Sequence, residues 1–159
     1  MTTENEIVLT AEGFKKIEQE LERLRTVQRK EVAERIRESK DFGELSENSE
    51  YEDAKNEQAF VEGRIMELKR ILHNALVIEK RDVKTNRVSI GSKVTVRDMD
   101  TKDEWVYTIV GSIEADPAED RISNESPVGE ALMEQKVGDL VTVEAPAGEM
   151  HLKIVKIAK

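Results

Sequence analysis

The residues best suited to chemistry lie in one acidic stretch, residues 41–53, which contains six carboxylates and neither lysine nor arginine. The six are Asp41, Glu44, Glu47, Glu50, Glu52 and Asp53. Glu44 and Glu47 stand three residues apart around a turn, so both can reach one cation, and Mg²⁺ is often held by one or two carboxylates plus water and outside groups. Such a surface pair holds Mg²⁺ only weakly, so we expect another molecule to supply the remaining ligands. The alternative is a solvated acidic turn.

No second set of residues has a pattern typical of catalysis. His73 and His151 are not near a carboxylate or serine pattern, and the chain has no glycine-rich phosphate loop, H-E-x-x-H or G-x-S-x-G motif. The absence of cysteine excludes disulfides, thiolate zinc sites and cysteine nucleophiles. The pattern indicates a protein that presents carboxylates, and not a self-sufficient enzyme.

Composition narrows the class of protein. The 159 residues are 37% charged and 4% aromatic, which favours an elongated helical element plus a compact partner over one large aromatic core. A net charge of −9 opposes bulk attraction to nucleic acid but permits a local basic patch. The chain shows neither a signal peptide nor a membrane span, so we expect a soluble, cytoplasmic protein with no membrane partner.

The elements that must position the acidic stretch are two helices. The first is predicted over residues 11–40, capped by Thr10, with apolar residues at spacings of 3, 4 and 3. Those residues are Phe14, Ile17, Leu21 and Leu24, and the stripe resumes at Val32 and Ile36. The expected positions between fall on Gln28 and near Glu31, so the stripe slips there as at a stutter. At 1.5 Å per residue this arm is roughly 45 Å long.

The second helix is predicted to begin at a cap on Asn48 or Ser49 and to carry an unbroken heptad seam. The seam is Tyr51, Ala54, Gln58, Val61, Ile65, Leu68, Leu72 and Ala75. Because each helix must cover the other's stripe, the two form an antiparallel coiled-coil hairpin with the acidic stretch as its tip.

The first helix also carries a basic stretch. Between residues 23 and 40 there are seven basic and three acidic residues. One reading is a solvated face with pairs such as Glu31–Arg35. The other is a strip that touches a phosphate backbone near the tip, formed by Arg29, Lys30, Arg35 and Arg37.

Beyond a polar connector at residues 82–87 the apolar period changes to two, as in strands. The predicted strands are 88–90, 93–97, 104–110, 121–123, 141–144 and 150–157, with a short helix over 127–132 capped by Ser126. The fold class is therefore α+β, with a coiled-coil domain over residues 1–80 and a β-rich domain over residues 81–159.

Several runs closely resemble the GreA-type bacterial transcript cleavage factors. They include residues 43–51 (GELSENSEY), 58–65 (QAFVEGRI), 107–111 (YTIVG) and 122–127 (ISNESP). Further matches are 114–117 (EADP), 137–139 (VGD) and 146–149 (PAGE), so the resemblance covers nearly the whole chain in order.

The resemblance implies a hairpin that enters the secondary channel of RNA polymerase and an FKBP-like C-terminal domain that docks on the channel rim. It implies that Glu44 and Glu47 help retain a catalytic Mg²⁺ held jointly with the polymerase, while the isolated protein binds none tightly. Asp41, Asn48 and Tyr51 would support the tip. The polymerase would then cut backtracked RNA near the nascent 3′ end, as in two-metal hydrolysis.

One residue departs from the family pattern, because the usual tip has Asp where this chain has Glu44. Glu keeps the charge but adds a methylene, which favours weaker retention of the metal ion. Two alternatives stay open, a secondary-channel binder that modulates or inhibits polymerase without cleavage, and a coiled-coil adaptor. Prolyl isomerase activity has little support, because fold alone does not give function.

Overall fold

A computed structural model of the chain describes residues 6–40 and 49–159. It divides into a helical unit, Phe14–Asn74, and a β-rich unit formed by the residues up to Gly13 together with Ala75–Lys159. The predicted α+β class is confirmed. Among the helices described, none combines the length and apolar character needed to cross a membrane.

The first arm of the helical unit is continuous from Ala11 to Lys40, which confirms the predicted extent. It consists of α1 (Ala11–Arg23), a π-helical segment (Leu24–Gln28) and α2 (Arg29–Lys40). Thr10 caps α1 as predicted, because the Gly13 backbone N–H donates to its Oγ1 at 3.0 Å.

The π-helical segment explains the slip in the apolar stripe. The most buried positions of the arm are Ile17, Leu24, Val32 and Ser39, with spacings of 7, 8 and 7 residues. A π turn holds one residue more than an α turn, so the eight-residue step keeps Val32 on the same face as Leu24. The arm therefore presents one straight buried stripe, and Glu31 is exposed.

The second arm is α3 (Ser49–His73), whose buried residues are Ala54, Val61, Ile65, Leu68 and Ile71. The predicted seam holds as far as Leu68. In the last turn Ile71 is buried in place of the predicted Leu72, which is half-buried, and Ala75 belongs to a strand and not to the helix. The arms are antiparallel, since Arg29 pairs with Glu62 while the later Arg35 pairs with the earlier Glu57.

Two short strands join the start of the chain to the segment that follows α3. β1 (Ile7–Thr10), which the sequence indicated only as an apolar run, pairs in parallel with β2 (Ala75–Ile78). This pairing places both segments in the β-rich unit, with Leu9 fully buried. The predicted boundary between residues 80 and 81 lies six residues after the point where the chain leaves the helical unit, between 74 and 75.

The β-rich unit is built on a five-stranded sheet with strand order β5-β4-β3-β7-β6. Its members are β3 (Lys93–Asp98), β4 (Glu104–Val110), β5 (Arg121–Ser123), β6 (Leu140–Ala145) and β7 (Gly148–Ala158). All neighbours are antiparallel except β4 and β5. The helix α4 (Pro127–Leu132) is capped by Ser126 as predicted, and Leu132 lies in the same core as Val96, Ile109 and Ile154.

The prediction of a strand over residues 88–90 is wrong. Val88 is fully buried but exchanges backbone hydrogen bonds, both at 2.9 Å, with Glu134 and Gln135, and with no strand. The chain then turns at Gly91, whose φ of +98° favours glycine.

The π-helical segment generates a prediction for the stability of the hairpin. Deleting Thr26 should convert the segment to α-helix and make the step from Leu24 to Val32 seven residues, so the buried stripe is kept. The side chain of Thr26 is exposed and its recorded hydrogen bond is to its own helix, at the Glu22 carbonyl. We expect the melting temperature, followed by helical circular dichroism, to change by no more than about 2–4 °C.

Deletion of the exposed Ala33 is the matched control, because it turns Ile36 and Ser39 by about 100° away from the stripe. That deletion should cost about 1–3 kcal/mol of unfolding free energy. Equal losses for the two deletions would contradict the role assigned to the π segment.

Candidate functional site at the acidic end of the hairpin

The central part of the predicted tip, residues 41–48, lies outside the described residues. The predictions for Asp41, Glu44, Glu47 and Asn48 therefore stay predictions. The structure fixes the two helix ends that hold this segment, Lys40 at the end of α2 and Ser49 at the start of α3.

The first turn of α3 carries the remaining acids of the stretch. Glu50, Glu52 and Asp53 are exposed, and acids in a first turn are favoured by the positive end of the helix dipole. Tyr51 is half-buried and begins the stripe that continues at Ala54, so its ring lies on the side of the helix that faces the other arm. The described part of the tip is thus the N-terminus of α3, with exposed carboxylates in its first residues.

The halves of the two arms nearer the tip each carry buried residues. Ala54 is fully buried, and Val32 and Ser39 of α2 are nearly so. The Ser39 hydroxyl donates to the Ile36 carbonyl at 2.9 Å, which gives this buried polar group a hydrogen-bond partner.

The predicted basic strip divides into paired and exposed residues. Arg29 donates two hydrogen bonds of 2.8 Å to the two carboxylate oxygens of Glu62, and Arg35 pairs with Glu57, so both brace α2 against α3. Arg37 is 75% exposed, and among the described residues its ion-pair contact is the one with Glu34 at 3.6 Å. Lys30 has no ion pair recorded within the described residues. Arg29 and Arg35 thus pair across the arms, and the predicted Glu31–Arg35 pair is not among the ion pairs of the described residues.

The bidentate pair shifts the titration of both of its members. The hydrogen bond from Arg29 holds the pKa of Glu62 below its ordinary value, and the same bond raises the pKa of Arg29. Further from the tip, Arg64 of α3 donates to both oxygens of Glu20 at 2.8 and 3.2 Å and to Glu67 at 3.1 Å. Glu20 and Glu67 together raise the pKa of Arg64, with Glu20 the larger cause.

A polar network in the β-rich unit has no counterpart in the sequence predictions. The carboxylate of Glu114, 5% exposed, accepts hydrogen bonds from the Thr10 backbone N–H at 2.8 Å and the Thr10 hydroxyl at 2.6 Å, and pairs with Arg121 at 3.1 Å. A methyl group on Gly13 would collide with this carboxylate. The network ties Thr10 to Glu114 within the β-rich unit, and these two residues lie 104 apart in sequence, so no local pattern reveals their contact.

Within the described residues, 6–40 and 49–159, no group of three or more histidine, aspartate or glutamate side chains is placed to hold a metal ion. The carboxylates predicted for Mg²⁺ are those of residues 44 and 47, and their oxygens are the hard ligands that this ion prefers.

Comparisons with known proteins cover both units. The family model for the transcription elongation factor N-terminal domain matches residues 7–77, and the model for the GreA/GreB transcription elongation factor C-terminal domain matches residues 83–159. The chain is 57% identical to transcription elongation factor GreA of Acetivibrio thermocellus, with 100% of both chains covered. It is 58% identical to GreA of Thermoanaerobacter pseudethanolicus, with 96% of this chain and 98% of that protein covered. Among solved structures, GreA factor homolog 1 of Thermus thermophilus is 29% identical over 97% of this chain and 99% of that chain, with a TM-score of 0.44.

The Arg29–Glu62 pair generates a prediction for titration. In the Arg29→Gln variant the pKa of Glu62 should rise toward the ordinary glutamate value of about 4.3, since the hydrogen bond that favours the ionised form is lost. Because the folded pKa is depressed, the pair stabilises the hairpin above the unfolded pKa, and this contribution disappears as the pH falls through the folded pKa.

The measurement is an NMR titration of the Glu62 carboxyl carbon in both proteins. Arg64→Gln serves as the control, because it removes a cross-arm pair of another glutamate. A Glu62 titration that is the same in wild type and Arg29→Gln would show that the pair does not persist in solution.

Proposed function

This chain belongs to the GreA/GreB family of transcription elongation factors, and from that premise we propose that it binds RNA polymerase in the secondary channel and stimulates cleavage of backtracked nascent RNA. It is an accessory transcription factor, and the chemistry proposed is that of the polymerase. The observation that supports this most is the combination of family membership with a long helical hairpin whose tip is acidic and free of basic residues. We place its action in the cytoplasm, with the polymerase.

The tip carboxylates would act together with the polymerase. Glu44 and Glu47 would each offer oxygen ligands to one Mg²⁺ that the polymerase also holds, and the isolated chain would bind this ion only weakly. When bound, the ion supplies activation of the attacking water for RNA hydrolysis. The role of this chain is then to place the two carboxylates, at the tip of its helical hairpin, beside the metal ion of the polymerase.

The basic strip is expected to work unevenly on the RNA. Arg29 and Arg35 are held by glutamates of α3, so their charges are largely neutralised and their role is to brace the arms. Lys30 and the highly exposed Arg37 keep more of their charge available. We therefore propose that Lys30 and Arg37 make the larger contribution to contacts with the phosphates of the nascent RNA near its 3′ end.

The sheet of the C-terminal region is proposed to dock on the rim of the channel. The sheet and the short helix α4 share one hydrophobic core. In the part of the chain that the structure describes, this region carries no cluster of three or more metal-ligating residues. Binding and cleavage are thus proposed to lie in separate parts of the chain. One observation favours a second candidate, a secondary-channel binder without cleavage, namely Glu44 in place of the family's usual Asp.

The tip generates the principal prediction. Glu44→Ala and Glu47→Ala should each lower the single-turnover rate of transcript cleavage on a backtracked complex, at saturating factor, by about tenfold or more. The two losses should be less than additive in free energy, because residues serving one metal ion act as a unit. Glu44→Asp should keep or raise the rate.

Neutralising Glu50 or Glu52 is the control and should have a much smaller effect. The Glu44→Ala, Glu47→Ala double variant should still compete with wild type for the polymerase, because the docking contacts lie elsewhere. Cleavage at the wild-type rate by that double variant would show that the tip is only a solvated turn and would favour the adaptor.

A separate prediction concerns the strip. The double variant Lys30→Gln, Arg37→Gln should lower cleavage at subsaturating factor by about threefold to tenfold and reduce its salt dependence, because phosphate contacts release counterions. Arg29→Gln, Arg35→Gln should mainly lower the melting temperature of the hairpin. The assignment fails if the second pair changes the salt dependence of cleavage and the first pair does not.

A further inference from the structure

The outward face of α3 carries a window without charge in a protein that is 37% charged. Phe60 is 71% exposed and Met66 is 72% exposed, and Gly63 lies between them with nothing within 4 Å of an added Cβ. Asn56 and Ala59 extend this window and are also exposed. Neither exposed large apolar side chain contributes to the buried stripe of the hairpin, which leaves both available to another molecule.

No contact within the helical unit requires a glycine at position 63, because nothing lies within 4 Å of an added Cβ. Glycine inside a helix costs about 1 kcal/mol relative to alanine, and the open space around Gly63 would accept a larger side chain. A glycine on an exposed helix face allows another helix to approach closely. Together with the two exposed apolar side chains it indicates that this face is covered by a partner.

The charges around the window indicate which kind of surface would fit this face of α3. At about 100° per residue, the exposed residues of this face lie within about 60° of the direction opposite Val61. They are Ser49, Glu52, Lys55, Asn56, Ala59, Gly63, Met66, Glu67, Arg70 and His73. Glu52 and Arg70 stand nine residues before and nine after Val61, and Ala59 and Gly63 stand two before and two after. The face is therefore complementary to itself when its direction is reversed.

We propose that this face of α3 binds the same face of a second copy of the chain, antiparallel, about a two-fold axis at the level of Val61. Glu52 of each copy then faces Arg70 of the other, and the two small residues Ala59 and Gly63 allow close approach. In the part of the chain that the structure describes, neither Glu52 nor Arg70 has a side-chain ion pair of its own.

The flanks of the face fit the same arrangement. A two-fold axis keeps each flank on its own side, so Phe60 meets Phe60 of the other copy, and Glu67 comes opposite the Asn56 amide. On the other flank Met66 lies against the aliphatic stem of Lys55. Glu62 approaches its own counterpart there, and Arg29 neutralises each of the two carboxylates.

The interface is small, so the dimer should be weak and reversible. Resting on the function proposed above, a dimer that covers the outward face of α3 cannot place its hairpin in a channel of the polymerase. Self-association would then keep part of the protein in an inactive dimer, and only the monomer would bind in the channel and stimulate cleavage.

Sedimentation equilibrium of the full chain from about 1 µM to about 1 mM tests the proposal, because weak interfaces dissociate in this range. Wild type should show a monomer–dimer equilibrium. Glu52→Arg and Arg70→Glu should each raise the dissociation constant by about tenfold, since each turns two facing attractions into repulsions, and the double variant should restore it. Gly63→Gln should abolish the dimer while raising the melting temperature of the helical unit.

Arg25→Glu, a charge reversal on the first arm, is the control and should leave the equilibrium unchanged, and helical circular dichroism checks that each variant folds. Wild type that stays monomeric throughout would overturn the inference and leave the proposed function intact. So would a dimer insensitive to all three face substitutions. If the face variants lose stimulation of cleavage without any change in sedimentation, the face contacts the polymerase and the inference is also wrong.

Discussion

The narrow line of contact between the two arms is the constraint on which the helical unit depends. Each arm buries one row of side chains, and among the described residues the row consists of a few buried positions such as Leu24, Val61 and Leu68. A row this thin tolerates no rotation of one helix against the other, because a shift of one residue turns a position by about 100°. The π-helical segment at Leu24–Gln28 is the device that keeps the first arm in line with the second.

The charges are arranged around that line of contact. Arginines of the first arm and of α3 reach glutamates of the opposite arm at Arg29–Glu62, Arg35–Glu57 and Arg64–Glu20. Exposed pairs of this kind each add little stability, but they fix the register of two helices whose apolar contact is thin. They also neutralise part of the strip, so the net charge of a segment is a poor guide to the charge that it presents to a partner.

Much of the fold could be predicted because its signals are local. The heptad seam of α3 up to Leu68, the Thr10 and Ser126 caps and the alternating strands 93–97 and 104–110 each follow from neighbouring residues. What failed depends on distant partners. The pairing of β1 with β2 joins residues 68 apart. The apolar run at Val88 has the local pattern of a strand, but its backbone partners, Glu134 and Gln135, are remote in sequence. The contact of Glu114 with Thr10 could not be predicted for the same reason. Glu44 and Glu47 lie outside the described residues, so their roles rest on the sequence alone.

The most direct measurement is made on a polymerase elongation complex stalled in a backtracked state and mixed with the wild-type chain in Mg²⁺. The released RNA is followed on a denaturing gel, with polymerase alone as the reference. If the chain is a cleavage-stimulating factor, short fragments from the RNA 3′ end should appear much faster than with polymerase alone, and the shortened transcript should then resume elongation. A chain that binds the complex but leaves the rate of fragment release at the level of polymerase alone would contradict this claim.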